Sequence, residues 1–151
     1  MKYMVIAKLF ITTLMALSNQ AYANHLDEQQ DFLVQSILNT PFTAVVTNTQ
    51  VTKLTSNPDE GDIYLLNADV QEIITGKAET NISYRIFVEF GEDVLVNKEP
   101  VIISLCEDDN GYYWPGVGAE FPVTAALLTV AHQAAKTKTM SNLDKAKSHC
   151  N

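Results

Sequence analysis

Directly after Pro100 the sequence reads Val101-Ile-Ile-Ser-Leu-Cys106, an almost unbroken apolar run. A strand with one face in water alternates apolar and polar residues. A short continuous run bounded by turn signals instead predicts a strand buried on both sides. Asp108-Asp109-Asn110-Gly111 follows and predicts a hairpin, because Asn-Gly accepts positive φ at both central positions. Tyr112-Tyr113-Trp114 is the expected returning strand, and Pro115-Gly116-Val117-Gly118 ends it irregularly.

The residues before this hairpin read as one helix and then strands. Asp27 and Gln30 have capping-box spacing. Leu33, Val34, Ile37 and Leu38 follow at helical spacing, so 27–38 is an expected helix, stopped at Asn39-Thr40-Pro41. Phe42–Thr52 is rich in β-branched residues and reads as a strand. Ser56-Asn57-Pro58-Asp59-Glu60-Gly61 reads as a turn. Ile63–Ile74 is a second strand, with Tyr64, Leu66, Ala68 and Val70 on one face. Ile82–Phe90 is a third, with Ile82, Tyr84, Ile86 and Val88 on one face and Arg85 on the other. Val94-Leu95-Val96 reads as a short edge piece.

Thr124 is placed to cap a last main helix, whose apolar face is Leu127, Leu128, Ala131, Ala134 and Ala135. The tail from Lys136 is polar, and Ser141 with Asp144 has the spacing of one more helical turn. The expected class is α+β, mainly β: a five-stranded antiparallel OB-like barrel flanked by an N-terminal and a C-terminal helix. An open meander with both helices on one face is the alternative.

The start of the chain reads as a leader. Lys2 and Lys8 precede an apolar run from Leu9 to Leu17, and Ala21-Tyr22-Ala23 has the form of a cleavage site. The run is too short to cross a bilayer, which takes roughly 20 apolar residues. Residues 1–23 are therefore expected to be removed after Ala23. That leaves one domain, 24–151, in the periplasm or the medium, with no stable membrane insertion. Full-length charge is −8, and loss of two lysines leaves about −10. Such a body repels phosphate backbones, which disfavours nucleic acid and favours a basic partner surface. In an oxidising compartment Cys106 and Cys150, the chain's two cysteines, are expected to pair.

Phe42–Thr55, followed by a strand in which Val70, Glu72, Gly76 and Lys77 stand roughly as in a "Y…V.E…KG" pattern, with the closing pair in the order Gly-Lys, resembles the opening of netrin-like domains. That group includes the tissue inhibitors of metalloproteinases. Ile103-Ser-Leu-Cys106 with Tyr113-Trp114 is similar to the fourth and fifth barrel strands of the group, so the resemblance spans about 42–114. It implies an OB-like fold and a binding role. Those inhibitors chelate zinc through an N-terminal cysteine. Here the mature chain starts at Asn24, with no cysteine nearby, so that residue is not carried over.

No chemical motif competes with this reading. A calcium loop needs a glycine at its sixth position and a glutamate at its twelfth. Aligning Gly111 with that glycine places Cys106 first and Val117 last, and the motif fails. His25, His132 and His149 show no ligand spacing, so neither metal nor cofactor is expected. A Cys106–His132–Asp108 triad can be written down, but an oxidised cysteine is no nucleophile. The aromatic run is the candidate contact surface: Tyr112, Tyr113 and Trp114, with Asp108 and Asp109 at the hairpin tip. The function expected is an exported non-enzymatic binding module that meets a protein partner, with a basic one favoured, through the barrel edge and loop 107–120. The alternatives are a cysteine- or carboxylate-dependent enzyme and an assembly factor of an envelope complex. N-terminal sequencing of the exported protein should start at Asn24, and thiol titration after denaturation should find no free cysteine. Two free thiols would revive the enzyme.

Overall fold

A computed structural model describes residues 27–92, 94–141 and 150. The expected leader lies outside this range, as does the helical turn expected from Ser141 to Asp144, apart from Ser141 itself. The chain divides into two compact units, Met1–Asp31 and Phe32–Asn151. Of the first, only 27–31 is described, as the opening of helix α1 (27–39). The rest of α1 belongs to the second unit, as do six strands and a second helix. The strands are β1 (Phe42–Asn57), β2 (Gly61–Thr75), β3 (Asn81–Val88), β4 (Val101–Asp108), β5 (Gly111–Tyr113) and β6 (Glu120–Pro122), and the helix is α2 (Ala125–Ser141). Among the described residues, no helix is long and apolar enough to cross a membrane.

The class is mixed α+β and mainly β. Five strands ring round in the order β1-β2-β3-β5-β4, and β1 pairs again with β4. β1 manages both pairings by bending. Its register against β2 shifts at four places, and such bulges bend a strand and sharpen its twist. Every pairing is antiparallel except β3 with β5, which is parallel. The expectation of a wholly antiparallel sheet is corrected here, and the reason is parity. Strand directions cannot alternate all the way round a closed circuit of five, so at least one neighbouring pair must run the same way.

Alternation along the strands then sorts the core into two layers. Phe42, Ala44 and Val46 of β1, Leu66 and Ala68 of β2, Ile82 and Tyr84 of β3, and Val101, Ile103 and Leu105 of β4 fill the ring. On the other face of β1 and β4, Val45 and Ile102 pack with Leu33 and Ile37 of α1, Phe121 of β6, and Leu127, Ala131 and Ala134 of α2. β4 is thus covered on both sides, and Val101 through Cys106 are all at most 1% exposed. Ser104 interrupts the apolar run at no cost, because its hydroxyl shares a 2.9 Å hydrogen bond with Thr43 on the paired strand.

Cys106 is joined to Cys150 with Cα atoms 5.4 Å apart, across 44 residues of sequence. On the chain-entropy account a loop of that length contributes roughly 4 kcal/mol. Thr124 caps α2, accepting the Leu127 amide at 3.2 Å. Lys138, in the stretch read only as polar tail, donates to the carbonyls of Ile37 and Thr40, and so ties α2 to the end of α1.

Several element bounds differ from expectation; β3 ends at Val88 and β5 at Tyr113, for example. β1 runs on to Asn57 because its far half pairs with β2 in an arm that β3 completes on the other edge of β2. β6 was not anticipated; it is three residues long, contains Pro122, and pairs on β4. Val94–Val96 forms no strand. β4 is already occupied by β1 on one edge and by β5 and β6 on the other, so no free edge is left for it.

The arm carries its own polar clasp. Asp62 accepts from Lys53 at 2.6 Å and from Ser56 at 2.7 Å, and the lysine also lies 5.0 Å over the Tyr64 ring. Asp62 is shielded by these immediate neighbours at a thin edge of the fold, not by deep core. The Lys53 bond, then the Ser56 bond, hold its carboxyl below the ordinary 3.8. The Asp62 bond pushes the lysine up to about 12. The clasp therefore stabilises fully between these limits. Its contribution fades as pH falls past 3.8 and, on the basic side, as pH rises from 10.5 through about 12. Asp62→Asn should lower the melting temperature at pH 7 and matter less at pH 3; an equal effect at both would refute the role given to the ion pair.

Candidate functional site

The β4–β5 hairpin positions the residues picked out above, but it does not present them as one surface. Gly111 takes φ 96° at the turn, and β5 leaves it antiparallel to β4 and parallel to β3. Three environments result. Tyr112 packs inward, its ring 4.8 Å from that of Phe42, and its hydroxyl donates to Glu79 at 2.9 Å. Burial, and then this acceptor, push that hydroxyl well above the usual tyrosine range. Tyr113 faces the other way, with the Arg85 guanidinium 5.8 Å from its ring centre. Trp114 packs on the ring core, and its amide donates to the Arg85 carbonyl at 2.8 Å.

Asp108 is engaged. Arg85 donates to it at 2.5 Å and the Asn110 amide at 2.8 Å, and the arginine holds its carboxyl below the usual range. Asp109 stands exposed at the tip. The Cys106–His132–Asp108 triad is not assembled. Cys106 is in the disulfide, and His132 Nε2 lies 3.0 Å from Glu72. Among the described residues, no group of three His, Cys, Asp or Glu side chains is placed to hold a metal ion.

Two concavities flank the hairpin. The first is a polar cleft of about 300 Å³, made by the outward residues Asn67 and Asp69 of β2, Asn81 and Ser83 of β3, and Glu79, Glu107 and Tyr112. β3 meets β5 at Tyr84 and Arg85 alone, so the start of β3 stands apart and the cleft opens beside it. Its floor is pre-ordered: Asn81 donates to Asp69 at 2.6 Å, and Ser83 to Asn67 at 2.7 Å. Lys77 reaches Glu107 at 3.5 Å. Of the three carboxylates that line the cleft, Glu107 has this lysine as its partner, while Asp69 and Glu79 accept from Asn81 and Tyr112.

The second concavity, about 210 Å³, lies at an end of the ring between Leu66, Tyr84, Ile86, Trp114 and Glu120, with Val94–Asn97 as its remaining wall. Tyr84 donates to Asn48 at 2.7 Å, and Asn48 donates to the Asn97 carbonyl at 3.2 Å, pinning that loop. Burial raises the Glu120 carboxyl above its usual range, although the residue keeps much of its surface in water at the rim.

The cleft residues on β2 and β3 were overlooked because a row of outward Asn, Asp and Ser reads as ordinary solvated surface. The polar positions of the second and third expected strands were the available signal. Nothing local marked Glu120. The sequence matches no known family model and no characterised protein.

Among the described residues, the indole Nε1 of Trp114 is buried without a partner, an arrangement that costs roughly 1–3 kcal/mol. Trp114→Phe removes the orphan donor and keeps an aromatic ring, so its stability should fall by about 1 kcal/mol or less. Trp114→Ala should lose about 2 kcal/mol or more. Urea unfolding measures both; equal losses would mean that the indole contributes no core packing.

Proposed function

We propose that this chain is an exported, non-enzymatic binding module, that its ring of strands is an OB-like barrel of the netrin-like kind, and that it engages a basic protein at the cleft between β2, β3 and the β4–β5 hairpin. The pairing circuit, with β1 shared between β2 and β4 and a parallel β3–β5 contact, supports the barrel reading. OB barrels bind their ligands on the face of strands 2 and 3 and at the loops joining strands 1–2 and 4–5. A cleft on β2, β3 and the β4–β5 hairpin supports this reading by fold analogy. The leader-like N-terminus and the Cys106–Cys150 bond support export, since disulfides persist outside the reducing cytoplasm.

One observation carries the choice of partner. Asp69, Glu79 and Glu107 converge on the cleft, with exposed Asp109 beyond them at the tip and a single lysine in answer. Phosphate-rich ligands are repelled by such a surface, while a lysine- or arginine-rich one is steered towards it. Recognition needs no bond making, and with Cys106 bonded to Cys150 the thiol is not available as a nucleophile.

The test is capture from envelope extract of the host on the immobilised oxidised protein, with bound proteins identified by mass spectrometry. A basic partner should be retained at low salt and released near 1 M, where the screening length falls to about 3 Å. Glu107→Lys with Asp109→Lys should weaken its binding about tenfold or more, without moving the melting temperature. Capture that ignores both salt and the double substitution would defeat this assignment.

A further inference from the structure

We propose that the end of the ring holds a second, separate site, which takes a small organic cation, an alkylammonium or guanidinium group, between Trp114, Tyr84 and the carboxylate of Glu120. The concavity shares no lining residue with the acidic cleft. At about 210 Å³ it is smaller than the roughly 300–1,000 Å³ of sites for drug-sized ligands, so its guest is no larger than a side chain or a simple amine.

The lining decides the chemistry. Leu66, Ile86, Val94 and Val96 form apolar walls that suit an alkyl chain. Two of the polar groups are already committed, because Tyr84 and Asn48 are joined to each other and to the Asn97 carbonyl. The Glu120 carboxylate is different. Among the described residues it takes part in no hydrogen bond or ion pair, and no Lys, Arg or His lines the space around it. It is close enough to Tyr84 for its charge to raise that hydroxyl's pKa, after burial. A carboxylate half withdrawn from water and left unanswered repels an anion and gains little from a neutral guest. A cation answers it, and the lining includes two aromatic residues, Trp114 and Tyr84, of the kind that attracts positive charge.

Access is through the loop. Val96 packs down on the ring core, while its neighbour Leu95 is 96% exposed at the rim. β6 supplies Glu120 from the opposite side: Phe121 turns into the helix layer, so the flanking Glu120 turns towards the ring.

Trp114 is the only tryptophan in the chain, so its fluorescence reads this site directly. The oxidised protein is titrated with n-butylammonium and n-butylguanidinium chloride, with n-butanol as the neutral control of matching shape. Saturable changes with the two cations, at least about tenfold tighter than with the alcohol, are expected. The comparison stands on the unaltered protein. Glu120→Gln, shown folded by an unchanged melting curve, should weaken the cations about tenfold and leave the alcohol unaffected. Acetyl-Gly-Lys-Gly-amide binding more tightly than butylammonium assigns the site to a partner's side chain, and the reverse order assigns it to a free amine. Titrations that do not saturate, or an alcohol that matches the cations, overturn the proposal. Glu107→Lys with Asp109→Lys should leave these titrations unchanged, which separates this site from the cleft.

Discussion

Burial of β4 on both faces and along both edges is the constraint on which the rest of the structure depends. Inside the ring its odd residues, Val101, Ile103 and Leu105, meet the inward residues of β1, β2 and β3. Outside, Ile102 meets the two helices and Phe121. Removing the ring layer would expose Val101, Ile103 and Leu105, and removing the helix layer would expose Ile102 with Val45 of β1, at roughly 25 cal/mol for each Å² of apolar surface. The helices are therefore half of the core and cannot be regarded as trimming. Their attachments, Lys138 onto the end of α1 and Cys150 onto Cys106, hold the outer layer against the strand that needs it.

Closing the ring has a price in pairing that shapes the surface. An odd circuit requires a parallel neighbour, and here the parallel contact between β3 and β5 lasts for two residue pairs. Beyond that short seam the two strands separate. On one side the gap becomes the acidic cleft, where Asn81 and Ser83 stand clear of β5. On the other side Trp114, its amide still bonded to the Arg85 carbonyl, forms a wall of the smaller concavity with Glu120. Both concavities thus follow from the one place where the pairing is brief.

Charge is divided unequally between these surfaces and the rest of the hairpin. Arg85 neutralises Asp108 and lies against Tyr113, which makes the outer side of β5 a structural contact. Glu79 is bonded to Tyr112 and Glu107 is near Lys77, yet the cleft stays acidic because Asp69, Glu79 and Glu107 outnumber that lysine. At the ring end, among the described residues, no cation lines the space and Glu120 has no ion-pair partner.

What the sequence determined by itself was whatever depends on near neighbours. The β4 run announced burial on both faces, Asn110-Gly111 announced the hairpin, and the helical spacing of Leu127, Ala131 and Ala134 named the face that packs. The alternation of Ile82, Tyr84 and Ile86 named the inward side of β3. The pairing of Cys106 with Cys150 followed from there being two cysteines. The tertiary structure alone decided which edges meet: that β1 serves both β2 and β4, that β3 and β5 run parallel, and that Val94–Val96 finds no partner. It also decided the two concavities. Asp69, Glu79 and Glu107 are spread over nearly forty positions of sequence, and Trp114 and Glu120 converge with Tyr84 only because the ring closes. Local pattern reports which way a side chain faces along its own strand, whereas a binding site is made of residues brought together across strands, and that is settled by register and closure.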